Sequence, residues 1–117
     1  MFIQTRNPER YGLPTIMALI VLIEPETGKP LAIMDGTWIT NVRTGAAGGI
    51  AAKYLARKDS KVIGMVGAGT QARTQLLALN EVFGINEVKV YSKPQEGCEK
   101  FKKDMAYLGL NISIREG

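Results

Sequence analysis

The spacing of apolar residues changes several times along the chain, and each change marks an element. Residues 13–23 are rich in β-branched and other apolar side chains, Pro25-Glu26-Thr27-Gly28 is turn chemistry, and residues 30–34 are apolar again. That pattern predicts a β-hairpin. Asp35-Gly36-Thr37 then opens a helical pattern that runs to about Arg57. A short apolar run beginning at Lys61 stops at Gly67. Beyond it Ala72, Leu76, Leu79 and Phe83 recur at intervals of four, three and four, an apolar stripe of helical period. Gly84 stands where a helix C-cap is expected. Glu87-Val88-Lys89-Val90-Tyr91 alternates as a strand does. Residues 95–108 predict a second amphipathic helix with Phe101, Met105 and Leu108 on one face, and residues 111–115 suit a third strand. Strand, helix, strand, helix, strand is half of a doubly wound sheet, which makes the fold class α/β.

The junction between the first of these strands and its helix reads Gly67-Ala68-Gly69-Thr70-Gln71-Ala72. Its layout suits a dinucleotide. Gly67 permits a tight turn, Gly69 lacks a side chain so that a pyrophosphate can approach the backbone, and Ala72 is small enough for the helix to pack on its strand. The amides at the helix start then face the phosphates. The alternative for such a motif is an ordinary strand–helix turn that is rich in glycine; its place in a repeating strand–helix unit favours the dinucleotide reading.

In the long helix before this unit, Gly45-Ala46-Ala47-Gly48-Gly49-Ile50-Ala51-Ala52 is almost all small. Each glycine there costs roughly 0.8–1.0 kcal/mol relative to alanine. A helix keeps such residues where another backbone or a ligand must come close. Arg43 lies just ahead of this face and has two readings, a solvated surface charge or an anion-binding group.

Composition narrows the chemistry. The chain has 117 residues, enough for one modest domain, and 45% of them are hydrophobic, enough to bury a core. There is no histidine and a single cysteine, Cys98, which removes imidazole catalysis, an internal disulfide and any ordinary zinc site, so no metal is expected. Cys98 itself reads as a bystander on a helix. The net charge of +4 is scattered, and the group at Lys100, Lys102 and Lys103 has no interleaved aromatics, so it reads as a solvated helix face and no nucleic-acid partner is predicted. Residues 1–4 lack the charged start and apolar core of a secretion signal, and the apolar run 16–23 is too short for a bilayer. The expectation is a cytoplasmic protein with no membrane partner.

Several runs carry a family likeness: Tyr11-Gly12-Leu13-Pro14-Thr15, Leu31-Ala32-Ile33-Met34-Asp35-Gly36-Thr37, Ile39-Thr40, Arg43-Thr44-Gly45-Ala46-Ala47, Ala51-Ala52-Lys53-Tyr54-Leu55-Ala56-Arg57 and Gly67-Ala68-Gly69-Thr70-Gln71-Ala72-Arg73. In this order they resemble the ornithine cyclodeaminase/mu-crystallin family, which includes an archaeal type of alanine dehydrogenase. The resemblance covers the chain from Asn7 onward. It implies a β-rich substrate and dimerisation domain, to which residues 1–57 with their hairpin and linking helix would belong in part. It also implies a Rossmann-type domain, of which residues 58–117 would be the N-terminal half. In ornithine cyclodeaminase, ornithine becomes proline and ammonia through tightly held NAD. Hydride leaves Cα, the side-chain amine attacks the resulting imine, ammonia departs and hydride returns. Relatives stop at oxidation or run it backwards as imine or ketimine reduction.

Residue by residue, the resemblance matches Arg43 to an arginine that clamps the amino-acid carboxylate and itself lies near the cofactor, so that it counts among the cofactor-binding residues as well. A bidentate fork suits a carboxylate, and fixed orientation is what hydride transfer requires. Thr15 matches a cofactor-contacting threonine, and Thr70 and Gln71 match residues that meet the pyrophosphate beside Gly67 and Gly69. Ser92 matches the position where an aspartate often holds the adenosine ribose. Here Ser92-Lys93 offers a hydroxyl and a cation, which would tolerate a 2′-phosphate, so NAD and NADP are both open; the other reading is a strand-end turn with the ribose held by water.

The family's proton-handling lysine, a second substrate arginine and the catalytic aspartate have no counterpart among these residues. The chain thus resembles an internal fragment of a family member, with no catalytic residue of its own and no activity expected in isolation. Three functions remain: a piece of an ornithine cyclodeaminase-like enzyme, a member that binds NAD(P) without turnover, or an alanine dehydrogenase or imine reductase of the same fold. A small amino acid is the expected substrate and a homodimer the expected assembly.

Overall fold

The computed structural model describes residues 1–116. The chain forms two compact units, one covering Met1–Asn41 and a second beginning at Val42.

In the first unit, strand β1 (Phe2–Ile3) pairs antiparallel with β2 (Ile16–Met17), and a short helix α1 (Asn7–Tyr11) lies between them in sequence. Strands β3 (Leu19–Ile23) and β4 (Pro30–Asp35) form the expected antiparallel hairpin, with Val21 opposite Ile33. Its turn closes through the Gly28 amide, which donates to the Glu24 carbonyl at 2.9 Å, and Gly28 takes the left-handed φ of +72°. The stretch 13–23 is not one strand. It breaks at Ala18, whose amide donates to Thr37 Oγ1 at 2.9 Å and whose carbonyl accepts from the Gly36 amide at 2.9 Å. Those bonds replace a ladder partner, so β2 and β3 belong to different sheets.

Helix α2 (Gly36–Leu55) starts because Asp35 caps it: Asp35 Oδ1 accepts from the amides of Thr37 at 2.8 Å and Trp38 at 3.4 Å. The division between the two compact units falls inside this helix, between Asn41 and Val42, whereas the family resemblance implies a domain boundary after residue 57. The cause is local. A Cβ added at Gly49 would meet Ala78 on the next helix at 2.9 Å, so the later part of α2 packs closely on that helix.

The second unit is a parallel three-stranded sheet, β5 (Val62–Val66), β6 (Glu87–Tyr91) and β7 (Asn111–Ile114), in that spatial order. Helix α3 (Thr70–Val82) connects β5 to β6, and α4 (Glu96–Asp104) with a 3₁₀ turn (Ala106–Leu108) connects β6 to β7. The core is made by Leu76 of α3, Val88 and Val90 of β6, and Cys98 and Phe101 of α4, all fully buried. Burial of each of the leucine, valine and phenylalanine side chains contributes roughly 1.5–3 kcal/mol. Cys98, on α4, is therefore a core residue.

Two predicted details differ. Gly84 is not the C-cap of α3; Phe83 takes that place in extended conformation, its amide donating to the Leu79 carbonyl at 2.9 Å. Phe83 and Ile85 are both buried, and turning the chain at Phe83 delivers both to the core. The second helix does not run unbroken through residues 95–108. It stops at Asp104, and Met105 bridges into the 3₁₀ turn, which Gly109 ends with φ +68°. Strand β5 is an edge of the sheet among the described residues, with Val66 88% exposed.

Candidate functional site

The turn between β5 and α3 is built by backbone demands that only parts of the motif share. At the end of β5 the Gly67 amide donates to the Tyr91 carbonyl at 2.7 Å, and Gly67 has φ +97°, a conformation that L side chains rarely adopt. Ala68 is buried, and Ala72 is buried against the core from the first turn of α3. Gly69, the N-cap, is different. Its φ of −81° and ψ of −167° are open to any residue, and nothing lies within 4 Å of where its Cβ would stand. Neither conformation nor packing within the chain asks for glycine there. The space suits a group that must approach the backbone itself, and no side chain caps the helix start.

Thr70 and Gln71, exposed, open α3; the Thr74 hydroxyl donates to the Gln71 carbonyl at 3.1 Å. Register pairs Val66 with Tyr91, so Ser92 and Lys93 leave the same end of the sheet as Gly67. Ser92 is half-buried, Lys93 exposed, and the Cys98 thiol approaches the Ser92 carbonyl at 3.9 Å. Six of the eight residues singled out in the sequence thus fall at one end of the sheet of one unit: Gly67 and Gly69 in the β5–α3 turn, Thr70 and Gln71 in the first turn of α3, and Ser92 and Lys93 just after β6. Arg43 belongs to the same unit, exposed on α2, and the Gln75 side-chain amide donates to the carbonyl of its neighbour Thr44 at 3.2 Å. Thr15 lies in the first unit, where its carbonyl accepts from the Gln4 amide at 2.8 Å.

Sequence reasoning missed one residue. Arg73, on the first turn of α3, reaches back under the turn. Its Nη1 donates to the carbonyls of Ala68 at 2.7 Å and Gly69 at 2.9 Å. Its Nε and Nη2 donate to Asp104 Oδ2 at 3.1 and 2.7 Å, and the guanidinium lies 5.5 Å from the centre of the Phe101 ring. Arg73 comes four residues after Gly69, one helical turn, and that spacing was the available signal. Arg73, Lys100 and Asp104 help line an open pocket of about 300 Å³ beside Gly69 and Thr70. Among the described residues no cluster of acidic, cysteine or histidine side chains is arranged to hold a metal ion.

The family model for the ornithine cyclodeaminase/mu-crystallin family matches residues 3–116. The chain belongs to that family. It is 55% identical over 109 residues to an alanine dehydrogenase of Archaeoglobus fulgidus, an alignment covering 93% of this chain and 34% of that protein. Among solved structures, an archaeal alanine dehydrogenase dimer with bound NAD superposes with a TM-score of 0.91 at 53% identity, covering 97% of this chain and 35% of the other. The Δ1-pyrroline-2-carboxylate reductase of Thermococcus litoralis, solved with NADH and L-proline, gives 0.91 at 48% identity, covering 98% and 36%. The chain spans about a third of the length of the curated relatives it matches.

Proposed function

We propose that this chain is the NAD(H)-binding part of an ornithine cyclodeaminase-like enzyme acting at Cα of a small amino acid. The observation that carries the reading is Gly69, a helix-start glycine that neither its backbone angles nor its neighbours require. In this reading residues 58–117 are the first half of a dinucleotide-binding domain, and residues 1–57 belong to a substrate and dimerisation domain. Bound NAD supplies a hydride acceptor. The amides of Gly69 and Thr70 receive the pyrophosphate, Gln71 adjoins it, and Gly67 shapes the turn. Thr15 contacts the cofactor. Ser92 holds the adenosine ribose, with Lys93 beside it, a pair compatible with NADP as well. Arg43 grips the substrate carboxylate and so orients Cα. Binding and orientation, rather than proton transfer, are the tasks assigned to these residues. A homodimer and a cytoplasmic location go with this reading. Among the described residues no helix is long and apolar enough to cross a membrane.

One observation favours a second reading, in which oxidation or imine reduction is the whole reaction: the 55% identity to an alanine dehydrogenase. Product analysis separates the two. Cyclodeamination releases ammonia with no net NADH, whereas a dehydrogenase forms NADH in proportion to amino acid consumed.

The binding claim is tested by titrating NADH into the ¹⁵N-labelled chain and monitoring amide shifts, a method that detects weak complexes. Shifts should cluster at residues 67–73 and 91–93 and vanish in Gly69→Val. Scattered shifts, or equal shifts in the variant, would remove the reading.

A further inference from the structure

We propose that Arg73 is a positioning residue which, anchored by Asp104, sets the direction in which the Gly69 and Thr70 amides point. The inference rests on the dinucleotide reading of this turn. In a trans peptide the C=O of one residue and the N–H of the next are locked antiparallel in one plane. Arg73 Nη1 holds the carbonyls of both Ala68 and Gly69, at 2.7 and 2.9 Å. Fixing those two carbonyls therefore fixes the N–H of Gly69 and the N–H of Thr70, which are turned away from the guanidinium and toward the side a phosphate would occupy. The grip is set in advance of any ligand, and preorganised donors bind without a further ordering cost.

The guanidinium is itself immobilised from two directions. Asp104 Oδ2 takes two of its N–H groups, and the ring of fully buried Phe101 lies 5.5 Å away. The Arg73 side chain is 22% exposed, that of Asp104 39%. Because Asp104 neutralises Arg73, the pair adds little net positive field at the helix start. Its action is geometric, and this separates it from a simple phosphate-binding arginine. Sequence separation explains why the arrangement is invisible in the motif: Asp104 lies on the next helix.

The two roles make opposite predictions for one substitution. Asp104→Ala removes the anchor and leaves the arginine charge bare. As a positioning pair, its loss lowers NADH affinity severalfold; an arginine acting by charge alone would bind NADH more tightly once freed. Arg73→Lys keeps the charge but cannot span both carbonyls and the carboxylate, and should weaken NADH binding roughly tenfold. The direct readout needs no cofactor. In the ¹⁵N-labelled chain, N–H order parameters of Gly69 and Thr70 should match those of neighbouring α3 amides and their residual dipolar couplings should fit the structure; in Arg73→Lys and Asp104→Ala the order parameters should fall and the couplings change, while the β6 amides stay unchanged. Wild-type couplings at Gly69 and Thr70 that do not fit the structure, or variants with unaltered couplings and only a lower melting temperature, would overturn the proposal. Tighter NADH binding in Asp104→Ala would do the same. If the wild-type chain shows no NADH shifts, the dinucleotide reading fails, and the couplings still decide whether Arg73 orients the turn.

Discussion

A Cβ placed on Gly45 would stand 2.5 Å from the carbonyl oxygen of Thr74, so the backbones of α2 and α3 touch at this point with no room for a side chain. The small residues of α2 here serve a helix-to-helix contact, one of the two uses their sequence allowed. Gly45→Ala gains up to about 1 kcal/mol of helix propensity but forces backbone apart, and should cost about 1–3 kcal/mol net in urea unfolding. Gly48→Ala should cost less, because its new Cβ meets the flexible end of Gln75 rather than backbone.

Gly67 and Gly69 should separate stability from binding. Gly67 has φ +97°, so Gly67→Ala strains the turn and should lower stability by about 1–3 kcal/mol. Gly69→Ala meets nothing within 4 Å and keeps an ordinary backbone, so unfolding should shift by no more than about 0.5 kcal/mol. NADH affinity should nevertheless fall in Gly69→Ala. Thermal melts and titrations on the same samples check both.

Cofactor choice should turn on Ser92. Ser92→Asp places a carboxylate at the end of β6, where it repels a 2′-phosphate and accepts from a 2′-hydroxyl. NADPH binding should weaken while NADH binding holds or improves, measured by parallel titrations. Indifference of NADPH to the change would place Ser92 away from the ribose.

Arg43 is exposed and should matter little to folding, so Arg43→Lys should leave the melting temperature nearly unchanged. In the active enzyme it should lose one charge-assisted hydrogen bond to the substrate carboxylate, about 1.5–3 kcal/mol. kcat/KM for the amino acid should then drop roughly tenfold to a hundredfold. Steady-state kinetics with unchanged NADH affinity would isolate the effect to substrate.

What the sequence revealed was governed by neighbours along the chain. The bounds of β6 match its alternating residues, since Val88 and Val90 face the core and Glu87 and Lys89 do not. The turn at Gly67 was visible because a strand end, a glycine pair and a helical stripe lie side by side. The break at Ala18 was not, because its hydrogen-bond partner is Thr37, nineteen residues on. Nor was the Arg73–Asp104 pair, joined across thirty-one residues. Gly84 misled for a related reason: the burial of Phe83 and Ile85, a tertiary demand, ends α3 before a glycine cap is needed.

The strand registers also imply an order of events during folding. The hairpin brings Val21 to Ile33 by closing a loop of twelve residues, whereas Val62 meets Glu87 only after twenty-five. Doubling a loop adds only about 0.6 kcal/mol of closure entropy. The longer loop must also hold a formed helix before parallel strands can pair, and non-local pairing is slow. The hairpin should therefore appear early and the β5–β6 pairing late. Gly67 is tied to Tyr91 by its amide. The segment that would meet a phosphate thus takes its shape only when these two strands have found each other.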